Sequence, residues 1–278
     1  MIDLHIHSNY SDGNKSVNEI ISECKKKSLD IISFTDHNTI KELDEINQNY
    51  SNYKEISFVR GIEFYPLMEN VNNFHLLAYD FDVNEEFVDL MKELDEKRLI
   101  SMMDKLEFIK NEFGIVIDID ELSHIWLSNY TLRIYLTEMF NEEYARYIMN
   151  AINKNGFKID KKIECLRLMN IILRANGIPV LAHPKTVQCN DFDSFIYDLV
   201  NNGLMGIEVY HSCHSPEDSL KYLEYAKKYN LLISGGSDFH GYYKKDYLGR
   251  DVELGRYYND GALQDVSVLK YIRSRKHV

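Results

Sequence analysis

Along the first residues, Met1-Ile-Asp-Leu-His5-Ile-His7, apolar and polar side chains alternate: Ile2, Leu4 and Ile6 against Asp3, His5 and His7. A period of two is that of a strand, which sends the two sets to opposite faces. Ser16-Val-Asn-Glu19 then has the spacing of a capping box, and Val17, Ile20, Ile21 and Cys24 recur on one helical face. Lys25, Lys26 and Lys27 close that helix as a solvated end that suits the helix dipole. Asp30 to Phe34 is a short, nearly continuous apolar strand. A helix around 40–50, a strand near 56–64 and another over 73–79 follow. Strand and helix alternating at short spacing predicts parallel α/β architecture.

From about Asn84 the period changes. Phe87, Leu90, Met91, Leu94, Met103, Leu106, Ile109 and Phe113 sit in a long, charged helical stretch, and further helices are expected around 129–153 and 160–175. Residues 85–165 therefore read as a helical insertion, a cap on the substrate side of a parent domain formed by 1–84 and 166–278. His124 and Trp126 read as packing residues of that insertion. The alternation resumes with a strand over Gly177–Ala182, then a helix near 191–202 and the strand Gly206-Ile-Glu-Val-Tyr210-His211. A helix about 216–229, the strand Leu231–Gly236 and an amphipathic helix near 261–274 complete the chain.

Composition narrows the class. At 278 residues, 45% apolar and 27% charged with only 4 Pro, the chain is globular and long enough for a large core. A formal charge of −12 leaves no overall basic character for non-specific nucleic-acid binding, and no DNA-binding surface is expected. Cys24, Cys165, Cys189 and Cys213 are scattered, without a Cys-x-x-Cys pair, which argues against a disulfide framework and fits a reducing compartment. No signal-peptide pattern opens the chain, and no run approaches the ~20 apolar residues of a membrane span. A cytoplasmic protein, with no membrane partner, is the expectation.

The chemistry sits at strand ends. His5 and His7 point the same way, as two imidazoles must to share one ion, and Asp12 follows in a loop closed by Gly13. A lone His-x-His is also what a half-buried strand with two satisfied histidines looks like, so its company decides. His37, Glu63, His75, His183, Asp238 and His240 all fall on or just after expected strands, which brings six of the ten histidines into one set. In a parallel barrel the C-terminal strand ends converge on one face, where active sites lie. Imidazole and carboxylate without thiolate suit zinc, manganese or iron, and so many ligands suit a polynuclear cluster better than one tetrahedral ion.

His5-x-His7 with Ser11-Asp12-Gly13, then Phe34-Thr-Asp36-His37, Gly61-Ile-Glu63, Ala182-His183-Pro184 and Gly236-Ser-Asp238-Phe-His240-Gly241 resemble, in order and spacing, the motifs of the PHP (polymerase and histidinol phosphatase) family. The resemblance implies a distorted (β/α)7 barrel that hydrolyses phosphate esters with two or three divalent ions (Mn, Fe or Zn). By the same resemblance His5, His7, Glu63 and Asp238 hold a first metal, bridging Glu63 with His75 and His183 a second, and Asp12, His37 and His240 a third. Asp36 matches a family aspartate expected to orient a ligand imidazole. A hydroxide bridging two metals would be the nucleophile, Glu63 and Asp238 would carry the catalytic ions, and His211 is a candidate proton donor to the leaving oxygen.

The helical insertion and the Ile178–Pro184 and Gly206–His211 segments are similar to a subgroup acting on nucleoside 3′,5′-bisphosphates or short RNA. Its phosphate-gripping arginine motif, roughly Gly-Arg-Pro-His, corresponds here to Thr131-Leu-Arg133-Ile-Tyr135, where only the arginine survives. Arg133 suits bidentate phosphate recognition but equally a solvated helix surface. Tyr210 and His211 are candidate substrate contacts. His214, Lys185 and the tyrosines 242, 243, 247, 257 and 258 carry weaker versions of that reading, and Cys213 reads as packing. A small phosphorylated substrate, nucleotide or short RNA, is the expected partner. The alternatives are a non-nucleotide monoester such as histidinol phosphate, or a non-catalytic metal-stabilised module. C–N hydrolysis, as in amidohydrolase barrels, is an outsider because no bridging lysine is evident.

Overall fold

The computed structural model describes residues 1–49, 53–122, 126–155, 163–241, 244–257 and 266–275. His124, Tyr242, Tyr243 and Tyr258, raised above, lie outside them. The chain divides into two compact units, Met1–Val88 with Ile163–Val278, and Asp89–Lys162.

In chain order the elements are β1 (Ile2–Ile6), α1 (Val17–Lys26), β2 (Ile31–Phe34), α2 (Glu42–Asn49), β3 (Ser57–Phe58), β4 (Gly61–Phe64), β5 (Pro66–Leu67) and β6 (Leu76–Tyr79). After α3 (Glu85–Phe113), α4 (Asn129–Met139) and α5 (Glu142–Asn155) come β7 (Ile163–Glu164), α6 (Cys165–Arg174), β8 (Ile178–Leu181) and α7 (Phe192–Asn201). The last are β9 (Gly206–His211), α8 (Pro216–Tyr229), β10 (Leu232–Gly236) and α9 (Ser267–Arg275). The capping box forms: Ser16 N–H donates to the Glu19 carboxylate at 2.9 Å, and Glu19 N–H donates to Ser16 Oγ at 3.3 Å.

In the first unit a parallel sheet runs β1-β2-β3, and a five-stranded sheet runs β10-β9-β8-β6-β4. The expected all-parallel order breaks at β6, which is antiparallel to both β4 and β8. The reason is length. The link from β4 to β6 holds only the short β5 and no helix, too little for a parallel crossover of a dozen or more residues. The strand expected near 56–64 is likewise two strands, β3 and β4, in different sheets. Asp238 N–H donates to His5 O at 2.8 Å and His7 N–H to Phe239 O at 2.9 Å, joining the end of β10 to the end of β1. Asn38 N–H donates to Glu63 O at 2.9 Å, joining the chain after β2 to β4.

Two glycines permit these approaches. A Cβ on Gly236 would lie 2.1 Å from His5 Cβ, and one on Gly61 2.1 Å from Ser33 Oγ. Side chains there would push Asp238 and Glu63 away from β1 and β2.

Apolar faces bury as the patterns predict, though β1 is buried on both faces. Ile6, Val17, Ile20, Ile21, Ile32 and Phe34 share one cluster, while Ile2 and Leu4 join Leu77, Ile178, Val180 and Leu269 in another. Ile32 is fully buried, so Ile32→Ala is expected to cost roughly 2–5 kcal/mol of stability. A urea melt followed by tryptophan-independent far-ultraviolet dichroism reads this, and a loss under about 1 kcal/mol would contradict the packing.

The second unit has its own apolar cluster. Met102, Leu106 and Ile109 of α3 meet Leu132 and Leu136 of α4 and Ile148 and Ile152 of α5. Among the described residues no helix is long and apolar enough to cross a membrane.

Candidate metal centre

The strand ends bring nine predicted ligands into three overlapping groups. In the first, His5 Nε2 and His7 Nε2 lie 3.3 and 3.2 Å from Glu63 Oε2, and 3.5 and 3.3 Å from Asp238 Oδ1. In the second, His75 Nδ1 and His183 Nε2 lie 3.0 and 2.8 Å from Glu63 Oε1. In the third, Asp12 receives His240 Nε2 at 3.2 Å, His37 Nε2 at 3.7 Å and His7 Nδ1 at 3.8 Å. Glu63 thus faces two groups with its two oxygens. His7 faces two groups with its two nitrogens, a double role the sequence reading did not anticipate.

His75 reaches the group by an unexpected route. It precedes β6 rather than ending it, but β6 is reversed, so its first residue pairs with the last residues of β4 and β8. Its imidazole therefore stands at the same end as Glu63 and His183. Two other ligands sit on left-handed backbone, His183 at φ 22° and Asp238 at φ 57°. Non-glycine residues hold such angles only where surrounding structure imposes them.

The donor set fits divalent ions. His7 Nδ1, His37 Nδ1, Glu63 Oε2 and Asp238 Oδ1 are buried and, among the described residues, lack hydrogen-bond partners. Buried polar atoms without partners are rare. Two of them face each other, His37 Nδ1 and Glu63 Oε2, 3.1 Å apart. Cations between them would satisfy all four with borderline nitrogen and oxygen ligands. Burial alone would raise the Glu63 and Asp238 carboxyls. The imidazoles of His5, His37 and His75 outweigh it at Glu63, and the Lys244 ammonium with His5 and His240 at Asp238, so both are held well below the usual range.

Supporting contacts fix these side chains. Glu208, fully buried on β9, takes His5 Nδ1 on one oxygen at 3.0 Å and accepts His183 N–H on the other at 2.7 Å. His183 Nδ1 meets Thr186 Oγ1 at 2.8 Å. Glu208 was not singled out from sequence, although Gly206-Ile-Glu208 repeats Gly61-Ile-Glu63 and was a legible signal. Losing such a support weakens metal binding by about 10–100-fold. We expect Glu208→Gln to do so in a competition titration against a chromogenic chelator, and unchanged affinity would contradict its role.

Asp36, expected to orient an imidazole, instead accepts Ser8 N–H at 2.8 Å, Ser8 Oγ–H at 2.6 Å and the Ser11 hydroxyl. It pins the loop between His7 and Asp12. Asp3 acts similarly, accepting Ser237 N–H at 2.9 Å and Gly255 N–H at 2.7 Å. Burial outweighs these bonds and pushes its carboxyl up to about 6.

His211 Nε2 lies 3.1 Å from Asp238 Oδ2, while its Nδ1 receives Cys213 N–H at 3.0 Å. That pairing puts the ring proton on Nε2, and burial lowers the affinity for a second one. Lys244 also meets Asp238 Oδ2, and Tyr65 stacks on His37 with centroids 4.3 Å apart. Neither stood out in the sequence. Tyr210 is half-buried against the apolar cluster of Ile2 and Leu4. Arg133 lies on α4 of the second unit, its Nη1 2.8 Å from Glu142 Oε1. His214 is buried with Nδ1 2.9 Å from Val209 O, and Lys185 Nζ is 2.7 Å from Asp218 Oδ2.

A chain with this fold and this ligand set matches the PHP domain model over residues 3–160, and the protein belongs to the PHP family. Among curated relatives, the phosphoribosyl 1,2-cyclic phosphate 1,2-diphosphodiesterase of Eggerthella lenta is 26% identical over 86% of this chain and 94% of its own. The 3′,5′-nucleoside bisphosphate phosphatase of Chromobacterium violaceum is 25% identical over 86% of this chain and 87% of its own. A solved amidohydrolase structure from Chromobacterium violaceum, with bound sulfate and no metal, shares the fold at a TM-score of 0.71. It is 24% identical, over 86% of this chain and 87% of that one.

Proposed function

We propose that the protein is a metal-dependent phosphoric ester hydrolase acting on ribose-borne phosphate, foremost nucleoside 3′,5′-bisphosphates or short RNA. The observation that carries this is the set of three ligand groups linked through Glu63 and His7. The two curated relatives named above act, by their names, on phosphate esters of a ribose, which supports the substrate class.

In this reading three divalent ions, Mn, Fe or Zn, are held by His5, His7, Glu63 and Asp238, by Glu63, His75 and His183, and by Asp12, His37 and His240. Such ions, when bound, make water a nucleophile near neutral pH and offset charge on phosphoryl oxygens. Glu63 and Asp238 set the spacing of the groups, and Glu208 and Thr186 hold the His5 and His183 rings in register. His211 is carried as the proton donor to the leaving oxygen, a role that requires its imidazolium form, since the neutral ring holds its one proton on Nε2 beside Asp238. Arg133 is carried as a phosphate contact and Tyr210 as a substrate contact, each to be tested by alanine substitution and KM. The bonds joining β10 to β1 and the chain after β2 to β4 support closure of the strands into a (β/α)7 barrel. Four free cysteines support a cytoplasmic location.

The test is phosphate release, with manganese, from adenosine 3′,5′-bisphosphate beside 5′-AMP, a short 5′-phosphorylated RNA and histidinol phosphate. Turnover of the bisphosphate or RNA but not AMP is expected. Turnover of histidinol phosphate alone would replace the nucleotide reading with the non-nucleotide one. No turnover of any, at full metal load, would overturn it.

A further inference from the structure

The turn that follows β9 gathers three metal-binding side chains at the second nitrogen of His211, the one that does not face Asp238. In His211-Ser-Cys213-His214 the two imidazoles and the thiol each offer a donor atom within 4.8 Å of the other two. Cys213 Sγ lies 3.1 Å from His211 Nδ1. His214 N–H donates to His211 O at 3.0 Å, which closes the turn and brings the three together. His214 is fully buried, and its Nδ1 stands 2.9 Å from Val209 O. A carbonyl only accepts, so that nitrogen carries the ring proton. Nε2 keeps a lone pair that is buried and, among the described residues, without a partner.

Metal-bound imidazoles almost always donate their other N–H to a carboxylate or a backbone carbonyl, which fixes the tautomer. Both rings have that support, His211 from Asp238 Oδ2 at 3.1 Å and His214 from Val209 O. The nitrogens left to bind are Nδ1 of His211 and Nε2 of His214. Ligands of one tetrahedral ion, each about 2.0–2.3 Å from it, stand roughly 3–4 Å from one another, the spacing already held by His211 Nδ1 and Cys213 Sγ. An ion there would replace the Cys213 N–H that Nδ1 accepts at 3.0 Å. Burial keeps the thiol protonated, its pKa pushed up to about 12. A divalent ion on sulfur displaces that proton to solvent, and Cys213 is only partly buried, so the ion has a way in.

We propose that His211 Nδ1, Cys213 Sγ and His214 Nε2 form a further metal site, for a zinc-class ion, with a fourth position left to water. Thiolate with imidazole favours such an ion over the harder manganese, whereas the ligand groups around Glu63 contain no thiolate. The site itself does not rest on the hydrolytic reading. Its consequence does: an ion on Nδ1 excludes the second ring proton that donation by His211 requires, so filling the site inhibits turnover.

The probe is cobalt(II), added stepwise to chelator-treated protein under reducing, oxygen-free conditions. A cobalt–thiolate bond gives an intense near-ultraviolet charge-transfer band that imidazole and carboxylate ligands do not, so the band reports this site while the other groups fill. Wild type should show the band, saturating with cobalt and erased by added zinc. Cys213→Ser should lose it, and His214→Gln should weaken cobalt binding here at least about tenfold. If His214→Gln fails to fold, Cys213→Ser, close in size and at a partly exposed position, keeps the test. No band in wild type, or a band that survives Cys213→Ser, would overturn the site. Zinc added to manganese-loaded enzyme should then lower phosphate release from the bisphosphate several-fold more in wild type than in Cys213→Ser. Equal inhibition of the two, with the cobalt band present in wild type, would overturn the inhibitory role alone.

Discussion

Asp238→Asn is expected to lower turnover by about three orders of magnitude while leaving the fold intact. The substitution keeps the size of the side chain, so the left-handed turn at φ 57° can persist, since asparagine tolerates that region. What changes is charge and hydrogen-bond polarity. Oδ1 faces His5 and His7, while Oδ2 faces His211 Nε2 and Lys244. An amide cannot satisfy both sides: its NH2 group would face either the imidazoles of the first metal group or the proton of His211 and the Lys244 ammonium. Losing one preorganised electrostatic group of an active site typically costs 10²–10³ in rate, and here a metal position is weakened with it. Far-ultraviolet dichroism and phosphate release on the same preparation read both halves. A variant that retains a tenth of wild-type turnover would contradict the assignment of Asp238.

Glu63→Gln is expected to have the broadest effect on metal content. One carboxylate lies within 3.3 Å of five imidazole nitrogens, those of His5, His7, His37, His75 and His183. Replacing it removes a negative charge and an anionic oxygen from two of the three groups at once. The loss of affinity should exceed the ~100-fold typical of supporting residues such as Glu208. Elemental analysis after dialysis should find at most one ion per chain, that of the Asp12, His37 and His240 group. Full occupancy in this variant would show that Glu63 is not shared between groups.

Much of this site is legible in the sequence because ligands at strand ends travel with short, ordered motifs. The alternation of Ile2, Leu4 and Ile6 with His5 and His7 fixes a strand and the common side of the two imidazoles. What escapes is contact made from afar. Glu208 announces itself only by the repeat of Gly61-Ile-Glu63 in Gly206-Ile-Glu208, its contact with His5 being set by the fold, and Lys244 follows the last motif at no informative spacing. Tyr65 is one aromatic among many. The reversal of β6 is written only in the shortness of the link from β4, a cue that local periodicity overrides. His75 was found for a reason that the fold replaces with another.

The central claim is that these side chains form a polynuclear metal centre, and metal stoichiometry tests it most directly. Protein prepared without chelator, loaded with manganese and dialysed, would be assayed by elemental analysis beside His7→Ala, whose imidazole faces two of the groups. The account predicts two to three ions per wild-type chain, fewer in His7→Ala, and phosphate release that rises and falls with the metal bound. Wild-type protein that binds no stoichiometric divalent ion, or that releases phosphate equally well without one, would contradict it.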